Sequence, residues 1–192
     1  LGLIAFGAGE PRVQRPRQGR IGLLSLLAEL RRGAADEGGG RTSLGTVVKT
    51  TTALGRQRGM IVIVSDFRGE LDWEGPLKAL RARHGVLAVE IRDPREMELV
   101  PAGDLWLVDP ETGRQVQIDT RKRRIRQRFA AAAERERAEV ADALRRAGAD
   151  HVVLSTDGDW LKTLSGHLRR GEASLRAGTS TRKVRSRTGR PM

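Results

Sequence analysis

The chain has 192 residues, a formal net charge of +12 and no cysteine. Disulfides, zinc–thiolate centres and thiol catalysis are therefore excluded, and the length suits one α/β domain with a sizeable core. No apolar run reaches the roughly 18 residues of a membrane-spanning helix, and a cysteine-free composition points to a cytoplasmic setting, with membrane anchoring by a preceding segment left open.

"LGLIAF", residues 1–6, reads as a buried strand turned by Gly7 and Gly9. "RVQRPRQG" follows as a short edge strand, because proline and charge suit an edge. Residues 21–37 are a predicted helix with Leu23, Leu24, Leu27 and Leu30 at helical spacing, ending in the glycines 38–40. "TSLGTVVKTTTALGRQ", 42–57, is a second helix with Thr42 or Ser43 as N-cap. The apolar strand 60–65 stops at Asp66, and a helix is predicted over 72–83.

"GVLAVEIRD" is the next strand, ending at Asp93. Residues 103–120 form a predicted β-hairpin around the turn "DPETG". A long helix is predicted over 120–147, with Ile125, Phe129, Val140 and Leu144 facing the core. Strand "HVVLST" and helix "DWLKTLSGHLRR", capped by Thr156 or Asp157, close a domain of residues 1–170. Residues 171–192 read as a basic, disordered tail. Strand and helix alternate, and most strands are continuous apolar runs. That predicts a mostly parallel open sheet with helices on both faces, Rossmann-like in outline, with the hairpin inserted near 103–119.

Ligands of such sheets bind beyond the carboxyl ends of the strands. Asp66 sits at one such end. It is either a carboxylate accepting backbone N–H bonds or an oxygen ligand for a hard cation such as magnesium, with Thr42 as a second oxygen. Ser65, Asp93 and Glu96 are adjacent strand-end candidates, and Asp93-Pro-Arg-Glu96 also reads as a turn with internal salt bridging. The histidines 84, 151 and 167 lack metal spacing and read as structural. The basic cluster Arg121, Lys122, Arg123, Arg124, Arg126 and Arg128, with the tail segment 182–190, raises a nucleic-acid or anionic-surface reading. Three Trp, three Phe and no Tyr argue against binding single strands by base stacking. A magnesium-dependent phosphatase-like reading would use Asp66 and Asp93 but lacks a third carboxylate at clear spacing.

"GLIAFG", "GGRTSLGTVV", "IVIVSDF", "HGVLAVEIRDPRE" and "VDPETGRQVQIDT" resemble, in order and spacing, the domain of unknown function 58 family. The resemblance covers roughly residues 1–168. It implies a von Willebrand factor A-like domain, and genes often found beside those of MoxR-type AAA+ ATPases. It implies a metal-ion-dependent adhesion site built by three loops: one with Asp-x-Ser-x-Ser, one with a threonine, here Thr42, and one with an aspartate, here Asp66. No Asp-x-Ser-x-Ser occurs in this chain. The resemblance therefore implies a C-terminal part of a longer protein, lacking a central strand between "GLIAF" and "MIVIV". These two segments are expected to flank an empty lane. The function implied is a non-enzymatic, magnesium-dependent protein-binding module, an adaptor for a MoxR-type ATPase that grips an acidic group of its partner.

Overall fold

The computed structural model describes residues 1–7, 11–33, 43–108 and 115–171. Thr42, the glycines 38–40, the turn 109–113 and the tail from 172 lie outside the described residues. In chain order the elements are β1 Leu3–Ala5, β2 Arg12–Gln14, α1 Gly19–Gly33, α2 Leu44–Leu54, β3 Met60–Ser65, α3 Glu74–Arg81, β4 Gly85–Arg92, β5 Asp104–Val108, β6 Gln115–Asp119, α4 Arg123–Ala147 and β7 Asp150–Ser155. A last helix, α5, covers 160–171. Strands β3, β4 and β7 form one sheet in that order, while β1–β2 and β5–β6 are separate antiparallel pairs. The three-stranded sheet is parallel. Gly85 N donates to Gly59 O where β3 and β4 both begin, and Thr156 N donates to Arg92 O where β4 and β7 both end.

The chain divides into two compact units, residues 1–88 with 134–151 and residues 89–133 with 152–192. The first holds the main core. Ile63 of β3, Val48 of α2, Leu77 and Leu80 of α3, Val86 and Ala88 of β4, and Val140, Ala143, Leu144 and Ala147 of α4 pack together with Phe67 and Trp73. The spacing of Val140, Ala143, Leu144 and Ala147 puts them on one helical stripe, which is why this half of α4 is buried. α4 ends at Gly148, whose φ of +73° allows Ala149 N to reach back to Leu144 O at 3.1 Å.

Helices on both faces of the sheet are found only in part. β4 is buried at Val86, Leu87, Ala88 and Val89 in succession, so both its faces are covered. β3 is not: Ile63 is 8% exposed, whereas Met60, Val62 and Val64 on its opposite face are 52–60% exposed. The predicted apolar face of α1 is uncovered as well, with Leu23, Leu24, Leu27 and Leu30 all exposed. Period 3.6 and continuous apolarity mark which side of an element is apolar; whether another element covers that side depends on the rest of the polypeptide.

β1 pairs with β2 and β3 with β4, and among the described residues β1 and β3 do not pair with each other. Residues 1–7 and 60–65 line one cavity of about 1150 Å³.

In the second unit, β5 and β6 form the expected hairpin, with Asp104 opposite Asp119 and Val108 opposite Gln115. Fully buried Thr120 holds its base, donating from Oγ1 to Gly103 O at 2.7 Å and accepting from Ala102 N at 2.9 Å. α4 starts at Arg123 and not at 120. Arg126 Nη1 donates to Thr120 O at 2.6 Å and Arg121 O at 2.9 Å, so the first helical turn is tied to the hairpin's exit. Ile125 and Phe129 are half-buried, short of the core positions predicted for them. The cap of α5 is neither Thr156 nor Asp157 but Asp159, whose Oδ1 accepts from Lys162 N at 3.0 Å. Asp157 accepts instead from Ser155 Oγ at 2.5 Å.

Candidate functional site

The chain leaves β3 at Ser65 and turns at once. Phe67 has φ +56°, a left-handed conformation that costs a non-glycine residue roughly 1–2 kcal/mol. Its side chain is 1% exposed and meets Trp73 edge-on, ring centroids 5.5 Å apart at 69°. Burial of the two rings holds the turn. Ser65 Oγ accepts from Phe67 N at 3.1 Å, and Asp66 Oδ1 accepts from Arg68 N at 3.2 Å. Asp66 is therefore exposed, with one oxygen engaged by its own turn and beside the Ser65 hydroxyl at 3.5 Å. Of the two readings given to Asp66, the turn-capping one is seen here, with Oδ1 accepting from Arg68 N.

The same loop is braced from α2. Ser43 is the N-cap, accepting from Thr46 N at 3.1 Å, and its hydroxyl donates to Asp72 Oδ2. Asp72 Oδ1 accepts from Gly45 N at 3.2 Å. The carboxylate thus satisfies one of the orphan N–H groups of the helix and sits at the positive end of its dipole. Gly45 is needed for this approach, since a Cβ there would lie 2.6 Å from Asp72 Oδ2 and 2.8 Å from Asp72 O. Arg68 adds a looser link, 3.5 Å from Glu136 of α4.

Thr42 lies outside the described residues, next to Ser43. The structure gives the N-cap to Ser43, one of the two residues predicted for it, and brings Ser43 to the loop that Asp66 opens. Asp72 was missed by sequence reasoning: it bonds to residues 27 and 29 positions away, and no local pattern signals that. Among the described residues, no group of three or more His, Cys, Asp or Glu is placed to hold a metal ion.

Asp93 and Glu96 belong to the second unit. Asp93 Oδ1 accepts from Arg95 N at 2.9 Å and caps the short 3₁₀ turn Pro94–Glu96. Upstream, Glu90 is 3% exposed and accepts from Arg92 Nε at 2.5 Å and Nη2 at 3.0 Å.

The basic segment is less free than its sequence suggests. Arg121 lies 3.1 Å from Asp119 and 3.7 Å from Asp104, and Lys122 3.8 Å from Asp119. The Asp119 carboxyl is held below its usual value of 3.8, first by the hydrogen bond from the Arg121 side chain and then by its backbone N–H. Arg121 and Lys122 precede the helix, and Arg126 is half-buried; Arg123, Arg124 and Arg128 stay exposed. The expected exposed first turns are therefore only partly found.

In the first unit, Glu74 receives two bonds from Arg146, 2.9 Å from Nε and 2.7 Å from Nη2. These hydrogen bonds, chiefly, hold its carboxyl below 4.5; burial opposes them, and the charges of Arg146 and Lys78 add to the lowering.

Residues 1–139 match the family described as "Protein of unknown function DUF58", and the chain belongs to that family. It is 42% identical over 147 residues to the uncharacterized protein MAV169 of Mycobacterium avium, covering 76% of this chain and 85% of that one. It is 42% identical over 163 residues to the uncharacterized protein Rv1480 of Mycobacterium tuberculosis, covering 83% of this chain and 50% of the other. The chain thus spans about half the length of the latter relative. Two solved structures align with the chain at low similarity. One is the conserved hypothetical protein BatB from Bacteroides thetaiotaomicron, with TM-score 0.46, 17% identity and coverage of 88% of this chain and 77% of that chain. The other is an aerotolerance-related membrane protein from Bacteroides fragilis, with TM-score 0.45, 14% identity and coverage of 88% and 78%. In this chain no described helix is long and apolar enough to cross a membrane.

Proposed function

We propose that the chain is a protein-binding module whose loops at the end of β3 take up a divalent cation and, through it, an acidic group of a partner. The observation that carries the reading is the exposed Asp66 carboxylate. It is held outward by a buried, strained turn and stands beside the Ser65 hydroxyl. Hydroxyl and carboxylate oxygens are the donors that magnesium prefers, and magnesium keeps several waters, so few protein ligands suffice. The donor chemistry fits. The set is incomplete among the described residues, and Thr42 is the next oxygen the sequence offers. Bound there, the cation would supply an open coordination position for a carboxylate. Asp66 would hold it, Ser65 would orient Asp66, and the Ser43–Asp72 bridge would keep α2 against the loop.

The family resemblance suggests a von Willebrand factor A-like role and, as partner, a MoxR-type AAA+ ATPase. The basic segment supports a nucleic-acid role less well, because Asp104 and Asp119 already engage part of it. The test is capture of the cognate ATPase by the full-length protein, wild type against Asp66→Ala, with magnesium and with chelator. Loss of capture on either change is expected. Equal capture in all four conditions would overturn cation-mediated docking.

A further inference from the structure

We propose that α5 is an interfacial helix that lies on a lipid bilayer carrying anionic headgroups, with its apolar stripe at the acyl boundary and its cations among the headgroups. The helix belongs to the second unit, and this role is independent of the cation reading at Asp66.

The sequence of the helix is two-sided. At 3.6 residues per turn, Trp160, Leu161, Leu164 and Leu168 fall within an arc of about 100°. Lys162, Arg169 and Arg170 fall on the opposite side, and no Asp or Glu occurs over 160–171. Asp159 fixes where the helix begins, with Oδ1 accepting from Lys162 N at 3.0 Å and its backbone oxygen from Thr163 N at 3.1 Å. Trp160 therefore opens the stripe at the first turn.

The structure leaves this stripe in the open. Trp160 is 53% exposed, Leu161 62% and Leu168 42%, with Leu164 half-buried between them. Single exposed leucines are ordinary, but a tryptophan and leucines on one helical face form a contiguous apolar patch of the kind that marks an interaction surface. Lys162, Arg169 and Arg170 are exposed too, and no ion pair engages them among the described residues. Arg121 and Lys122 differ, since Asp119 already holds both.

The charge beside the stripe decides what covers it. A nucleic acid would engage the cations and leave the leucines wet. A protein groove would cover the leucines, and would need carboxylates matched to three separate cations. An anionic bilayer takes both at once. Apolar side chains of such a helix enter the acyl boundary by about 5–10 Å, tryptophan sits at headgroup level, and the stems of Lys and Arg run along apolar surface to the phosphates. The sequence beyond the helix adds charge of the same sign: residues 173–192 include Arg176, Arg182, Lys183, Arg185, Arg187 and Arg190, and no Asp or Glu. Stable peripheral anchoring takes two signals, and an inserted apolar stripe with a polybasic segment supplies two. Residues 160–171 measure about 18 Å along the helix axis, short of the roughly 30 Å hydrocarbon core, so α5 would lie on the bilayer and not cross it.

The experiment uses the whole chain and sedimented vesicles, of phosphatidylcholine alone or mixed with phosphatidylserine. Binding to the mixed vesicles is expected, with a blue shift of tryptophan emission, and little binding to the neutral ones. Leu161→Glu should weaken partitioning about tenfold or more, because a buried leucine is exchanged for a charge. Lys162→Ser and Arg169→Ser should each weaken it about fivefold and reduce its salt dependence. Trp160→Phe should keep most of the binding and lose the blue shift. All four positions are exposed, and circular dichroism checks that each variant is folded. Absence of binding to the mixed vesicles would overturn the proposal. So would full binding by Leu161→Glu, which would reduce the contact to adsorption by charge alone, or an undiminished blue shift in Trp160→Phe, which would place Trp106 at the lipid. Self-association of the chain that Leu161→Glu abolishes, without vesicle binding, would make a second copy the cover.

Discussion

Gly45→Ala separates helix propensity from tertiary fit. On propensity, alanine is better than glycine by about 0.8–1.0 kcal/mol within a helix, so a local argument expects stabilisation. The structure points the other way. The new methyl would lie 2.6 Å from Asp72 Oδ2, 2.7 Å from its carboxyl carbon and 2.8 Å from its backbone oxygen. Rotating the carboxylate would relieve the first two contacts but would sacrifice its bonds to Ser43 Oγ and Gly45 N, each worth about 1 kcal/mol. The backbone contact would remain, and overpacking of this kind costs roughly 1–3 kcal/mol. Set against the propensity gain, the net expectation is a destabilisation of about 2–4 kcal/mol. Urea unfolding followed by far-ultraviolet circular dichroism would show a lower midpoint at unchanged slope. A midpoint equal to or above that of the wild type would refute the claimed approach of α2 to the loop.

Two further outcomes follow from the same unit. Leu77→Ala empties a fully buried position among α3, α4 and the sheet and should cost about 2–5 kcal/mol in the same assay; a loss under roughly 1 kcal/mol would mean that this core is not packed as described. Because the Glu74 carboxyl is held below 4.5 in the folded chain, its pairing stabilises the fold above that value and is lost as pH falls through the lower folded value. Glu74→Gln should therefore flatten the acid limb of the stability–pH curve below about pH 4.5 while leaving its neutral shape, and an unchanged acid limb would remove Glu74 from the account.

Much of the fold was legible because its signals are local. The apolar run 60–65, its stop at Asp66, the Ser43 cap and the alternation of the hairpin arms depend on neighbours in sequence. What was not legible depends on distance. The bridge from Ser43 to Asp72 spans 29 residues, and the ties from Arg126 to Thr120 and Arg121 depend on how the helix leaves the hairpin. Asp159 takes the α5 cap because Asp157 is already occupied by Ser155, a competition that spacing alone does not decide. The exposed leucines of α1 and the bare face of β3 teach the same lesson from packing: an apolar stripe states a need for cover, and the sequence of the stripe does not say what provides it.

The turn at Phe67 joins these points. A glycine or asparagine would adopt φ +56° with little strain, and either would have announced the turn in the sequence. Phenylalanine hides it. The strain of roughly 1–2 kcal/mol is offset because the ring is buried against Trp73, and full burial of such a side chain contributes about 1.5–3 kcal/mol. A glycine would remove the strain and also the anchor, leaving Asp66 on a loose loop. With the ring in place, the left-handed residue drives Phe67 inward immediately after Asp66, so the carboxylate stays outside while its neighbour enters the core. Trp73 then opens α3, and Asp72 beside it fixes the start of α2. One buried aromatic pair thereby sets the positions of the Asp66 carboxylate, the Ser65 hydroxyl and the Ser43 cap. Sites that must hold polar groups in a defined arrangement tend to carry backbone strain of this sort, which is the physical reason for testing the proposed binding role at this strand end before the basic segment at 121–128.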